Sequence, residues 1–115
     1  MQSVSSNAVA ESKSYSTTET LTGGTWIDGK PIYRKVLQGT LTGSEQAVNH
    51  HISNLGTVIR QYGFLSGNNF TPVGFSFSNY YFSTYTDSSK VNIRASSSYV
   101  NETFGIILEY TKTTD

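Results

Sequence analysis

The sequence predicts an all-β domain, an antiparallel β-sandwich of jelly-roll-like form preceded by a short N-terminal helix. Three observations carry this expectation. Apolar residues alternate with polar ones in several short runs, such as Val91, Ile93 and Ala95, or Phe104, Ile106, Leu108 and Tyr110; a period of two is the signature of half-buried strands. Gly, Asn, Asp and Ser recur between the runs and supply turns. One segment alone has the composition of a helix.

That segment spans residues 5–13, where Ser5, Ser6 or Asn7 can cap and Ala8, Val9, Ala10 and Glu11 propagate. It is too short to be stable alone in water and must lean on the domain or on further copies of itself. Residues 14–22, rich in Ser and Thr, read as an extended connector, which divides the chain into a helix and connector (1–22) and a sandwich (23–115). Trp26-Ile27, Asp28-Gly29 and residues 32–37 read as a hairpin, because Asp-Gly readily adopts the positive φ angles of a type I′ turn. Pro31 lacks an N–H for the ladder and points to an edge position. A further strand is expected over 45–52. Another covers 57–64, with Val58, Tyr62 and Phe64 on one face and Ile59 and Gln61 on the other. Val73, Phe75 and Phe77 alternate, residues 80–85 form an aromatic run, and the two runs named first complete about seven or eight short strands.

Composition narrows the functional classes. At 115 residues the chain makes one domain. Its 36% hydrophobic residues, even with ten glycines added, reach only the lower edge of the roughly 45–50% usual for soluble domains. So thin a core favours burial between identical subunits. Charged residues are 14% and the formal net charge is zero, so no field draws in nucleic acid or an anionic bilayer. There is no cysteine for a disulfide framework. No run approaches the about 20 apolar residues of a membrane helix, and no basic-then-apolar leader is visible at the start, so export is expected by another route such as host lysis.

Two stretches carry a resemblance to a known family: Gly24-Thr25-Trp26-Ile27-Asp28-Gly29-Lys30-Pro31-Ile32-Tyr33-Arg34-Lys35, and Leu108-Glu109-Tyr110-Thr111-Lys112-Thr113-Thr114-Asp115. Both resemble C-terminal domains of tail-fibre or minor structural proteins of phages and prophages from gut bacteria. Ser3-Val4-Ser5-Ser6-Asn7-Ala8-Val9-Ala10 is similar to the segment that precedes such domains, here leading from a fibre shaft. His50, Ile52, Ser53, Asn54 and Leu55 fall where the family shows a His-Gly-Ile-Ser-Asn stretch, with His51 in place of the glycine. The resemblance covers most of the chain but not residues 66–85. It implies a component of the phage tail, outside the cell, that is a homotrimer facing a receptor; it names neither receptor nor binding residues.

Candidate sites follow from the residue inventory. His50 and His51 are the one metal-like pair, but neighbours in a strand point to opposite faces and do not easily share an ion within a subunit; three copies of one of them on a threefold axis are the outlying alternative, and structural or surface histidines with no metal or other cofactor are expected. The carboxylates Asp28, Asp87, Glu45, Glu102 and Glu109 show no acid–base pairing by spacing, and there is neither a Gly-x-Ser-x-Gly elbow nor a cysteine nucleophile. The domain is therefore read as no enzyme, with a polysaccharide depolymerase as the outlying alternative. The glycines match neither phosphate-loop pattern. What is in excess is aromatic side chains, 13% of the chain. Sugars stack on aromatic rings while amides and hydroxyls orient them, so Tyr80, Tyr81 and Tyr85 beside Asn79, with the loop amides Asn68 and Asn69, form the candidate ligand site. The expected ligand is a glycan of a bacterial surface. A packed core or a subunit interface would use the same tyrosines, and a purely structural cap that trimerises the fibre is the competing function.

Overall fold

Two strands, Thr20–Thr25 (β1) and Pro31–Thr40 (β2), open the domain as a hairpin in the computed structural model, which describes residues 14–115. The helix expected over 5–13 lies outside the described residues. The hairpin turn sits at Asp28-Gly29 as read, but its type differs. Gly29 N–H donates to the Trp26 carbonyl at 2.9 Å and Trp26 N–H to that of Lys30 at 2.9 Å, and Gly29 alone in the turn takes a positive φ, 87°. That is a type I turn closed by a glycine bulge rather than type I′. The extra residue moves Trp26 and Ile27 out of the strand and into the turn, where Ile27 is 89% exposed. The connector is shorter than expected: β1 starts at Thr20, so the division after Thr22 falls inside a strand. Pro31 is the first residue of β2, and pairing with β9 begins only at Tyr33, so its missing N–H costs the ladder nothing.

The remaining strands are Glu45–Asn49 (β3), Leu55–Ser66 (β4), Phe70–Pro72 (β5), Phe75–Phe77 (β6), Tyr80–Thr86 (β7), Lys90–Ala95 (β8) and Thr103–Lys112 (β9), with one 3-10 turn at Ser97–Tyr99. Among the described residues they form two antiparallel sheets, ordered β1-β2-β9-β4-β5 and β3-β8-β7-β6. Pairing β2 with β9 in one sheet and β3 with β8 in the other wraps the chain ends around the middle, the jelly-roll-like sandwich that the alternation predicts. Phe104, Ile106, Leu108 and Tyr110 of β9 meet Phe82, Val91, Ile93 and Ala95 of the facing sheet, all nearly inaccessible.

Strand β4 corrects the face assignment. A register break lies between Val58 and Arg60. Val58 therefore opposes inward Tyr110, whereas Tyr62 and Phe64 oppose Ile107 and Gly105, one residue out of phase with the core side chains. The expected run 73–77 is broken too, since Gly74, φ 95°, lies where the chain passes between sheets. Two aromatic rings cover glycines across the ladder: Phe104 lies over its partner Gly39 and Phe64 over its partner Gly105. Glu19 ties the connector down, accepting from the Tyr110 hydroxyl at 2.6 Å and the Lys112 ammonium at 2.7 Å. Burial and the Glu19 carboxylate raise the Tyr110 phenol above its ordinary pKa.

Candidate functional site

Strand β7 alternates cleanly. Phe82 is buried, and Thr84 turns inward to donate to Gln61 Oε1 of β4 at 2.9 Å. Alternation then sends Tyr81, Ser83 and Tyr85 outward, and all three are exposed. The turn before β7 is set by Ser78, at φ 56°. It is stapled by Ser96: the Ser96 hydroxyl donates to the Asn79 carbonyl at 2.9 Å and accepts from Tyr81 N–H at 2.8 Å. Tyr80 leans on Tyr99, ring centroids 6.1 Å apart.

The result is a groove of about 410 Å³ in which Asn79, Tyr80 and Tyr81 face Ser44 and serines 96–98. Tyr80 and Tyr81 are 48% and 40% exposed, so ring surface is available to a ligand. Tyr85 lies on the same outer face but in a separate cleft of about 230 Å³ with Glu45, Ala47, Asn92 and Arg94. Asn68 and Asn69 are not brought together with the others. They occupy the β4–β5 turn of the opposite sheet, where the Asn69 carbonyl accepts from Gly67 N–H at 3.1 Å. No family model, curated protein or solved structure matches this chain.

Serines 44 and 96–98 escaped the sequence reading because they lie outside the strands: the turn after β8 delivers serines 96–98 to Tyr81, and Ser44, just before β3, is held there by its carbonyl, which accepts from Ala95 N–H at 3.0 Å. Asn92 and Arg94 could have been found: in Lys90–Ala95 they alternate with Val91, Ile93 and Ala95 and so must face outward beside β7.

The histidine pair divides by burial. His50 is inaccessible, with Nε2 3.0 Å from the Asp87 carbonyl and Nδ1 accepting from Ile52 N–H at 3.1 Å. A carbonyl can only accept and an amide N–H only donate, so the neutral ring with its proton on Nε2 follows. Both nitrogens are spent within the subunit and His50 is structural. His51 is exposed, at φ 53°. Of the carboxylates weighed above, Glu102 alone has a buried oxygen, Oε1, with no hydrogen-bond partner; the others are engaged locally. Asp28 accepts from Lys30 N–H at 3.0 Å. Asp87 accepts from the N–H groups of Ser89 and Lys90 and from Asn92, which lower its pKa to about 2. Glu45 pairs with Arg94 at 3.7 Å.

Glu109 centres a network on the outer face of the other sheet, accepting from Arg34 Nε at 3.0 Å and the Tyr62 hydroxyl at 2.8 Å. Burial works against the Arg34 charge, but the Glu109 hydrogen bond and charge outweigh it and raise the guanidinium pKa. Arg34 and Arg60 stack over Tyr15 and Tyr62 at 4.6 and 4.0 Å. Among the described residues no helix is long and apolar enough to cross a membrane.

Proposed function

We propose that this domain is the trimeric tip of a phage tail fibre and binds a carbohydrate on the bacterial surface. The observation that carries the reading is the groove in which Asn79, Tyr80 and Tyr81 stand exposed opposite four serines. Aromatic faces offer stacking, and the surrounding amide and hydroxyls offer directional hydrogen bonds, the combination a pyranose needs. Individual contacts of this kind are weak, and three copies on one fibre would multiply them through avidity. The resemblance of the first hairpin and the last strand to fibre tips supports the placement in the virion.

A glycan array probed with the full chain tests this reading. Binding of neutral glycans that is lost in Tyr81→Ala, at unchanged melting temperature, is expected; an array without any retained glycan refutes it. A purely structural cap is the second reading, favoured by the exposed rings Phe70 and Phe77, 78% and 70% accessible, which a neighbouring copy would cover. Sedimentation across a wide dilution range checks the trimer: a well-folded monomer at every concentration removes both the avidity and the cap.

A further inference from the structure

The groove at Tyr81 and the cleft at Tyr85 lie on the outer side of one strand, and the register of the sheet joins them. Ser83 stands between the two tyrosines and opposes Arg94 on β8, while Tyr85 opposes Asn92. Asn92 in turn opposes Ala47 on β3, and Arg94 opposes Glu45. Two small side chains, Ser83 and Ala47, thus leave the floor low where large ones would interrupt it. Four residues at about 3.3 Å each separate Tyr81 from Tyr85 by about 13 Å. That span exceeds two pyranose rings.

We infer that the two depressions are subsites of one trough running along β7, and that the ligand is a linear neutral oligosaccharide longer than a disaccharide, stacked at one end on Tyr81 and at the other on Tyr85. The inference rests on the glycan-binding reading and adds to it the second subsite, the direction of the chain and the ligand's length. Neutrality follows from the charges that line the trough: Arg94 and Glu45 approach to 3.7 Å while 57% and 71% exposed, so they cancel each other and present no net field to an acidic polymer. Asn92 supplies the amide at the Tyr85 end, as Asn79 does at the Tyr81 end. Its Nδ2 already donates to Asp87 Oδ2 at 3.1 Å, which holds the amide in place with its oxygen left to accept from a sugar hydroxyl.

The experiment titrates the full chain with size-fractionated neutral hexose and N-acetylhexosamine oligomers from two to six residues. The same series is run on Tyr81→Ala and Tyr85→Ala, both exposed positions whose melting temperatures serve as folding controls. The expected result is that oligomers spanning the trough bind the unaltered chain about tenfold tighter than the disaccharide. Tyr85→Ala should erase that gain with length, while Tyr81→Ala should weaken every length. Affinity that does not grow with length, or a gain that survives Tyr85→Ala, overturns the trough and leaves the single groove standing. Failure of every oligomer to bind overturns the glycan reading itself. Preference for a uronic-acid ladder, lost on adding salt, overturns the neutral ligand.

Discussion

Replacing Gly63 by alanine tests how tightly β4 is pressed against β9. Gly63 sits at φ 134°, and a Cβ built there would lie 1.9 Å from the Gly105 carbonyl oxygen. Ordinary contact begins at 3.4 Å, so the two backbones must part by about 1.5 Å. The backbone conformation alone costs about 1–3 kcal/mol for a residue with a side chain. Parting the ladder weakens hydrogen bonds worth about 1 kcal/mol each; with two affected the total is about 3–5 kcal/mol. Gly74 provides the control, because it also has a positive φ, 95°, but nothing lies within 4 Å of its Cβ position. Gly74→Ala should therefore cost only the conformational part. Urea unfolding of both variants at one fixed protein concentration measures the difference. If Gly63→Ala costs no more than Gly74→Ala, the close approach of the strands is not what the glycine serves.

Three further outcomes are expected. His50→Phe keeps the ring volume but strands the Ile52 N–H and the Asp87 carbonyl, so it should destabilise by about 2–4 kcal/mol; a loss below about 1 kcal/mol would show that water replaces the imidazole. His51→Gly should be within about 0.5 kcal/mol of neutral, since relief at φ 53° offsets the freedom glycine gains when unfolded, whereas His51→Val should cost about 1 kcal/mol or more; equal stability of the two variants would remove the strain argument. Because turn hydrogen bonds lower the Asp87 pKa from 3.8 to about 2, the stability it contributes is complete above pH 3.8 and is lost as pH falls through about 2. Carbon-detected NMR titration of the Asp87 carboxyl should show that midpoint, and one near the unperturbed value would mean the turn contacts do not persist.

Alternation carried most of the fold. Val91, Ile93 and Ala95, and likewise Phe104 to Tyr110, could be assigned their buried faces from the chain alone, because a strand with one wet face imposes the period directly. It failed where a residue is inserted. The register break after Val58 reverses the phase at Val58 until a second break, between Leu55 and Val58, restores it, and no local preference in Val58-Ile59-Arg60 announces either irregularity. The hairpin type was missed for a related reason: Asp-Gly suits both turn families, and the sheet chose the one with a bulge. At the site, Asn79, Tyr80 and Tyr81 are adjacent in sequence and remain together in space. Asn68 and Asn69 were grouped with them by composition, but the chain changes sheets at Gly74 and leaves them behind in the other layer. His51 holds a left-handed backbone, φ 53°, where a glycine would sit without strain, so the histidine there is a local cost.

The position of β9 bears on how the chain comes together. It is the last described strand, yet it lies in the middle of its sheet, between β2 and β4, with Tyr33 opposite Tyr110 on one side and Leu65 opposite Phe104 on the other. Until Thr103–Lys112 has left the ribosome, two long strands rich in aromatic and branched side chains share no neighbour, and each presents an open ladder to whatever strand is nearest. Contacts so distant along the chain make for slow folding. Any copies of the chain growing side by side would each hold a β9-shaped vacancy that another copy's strand could fill, so the order in which chains are released would decide between correct closure and exchange.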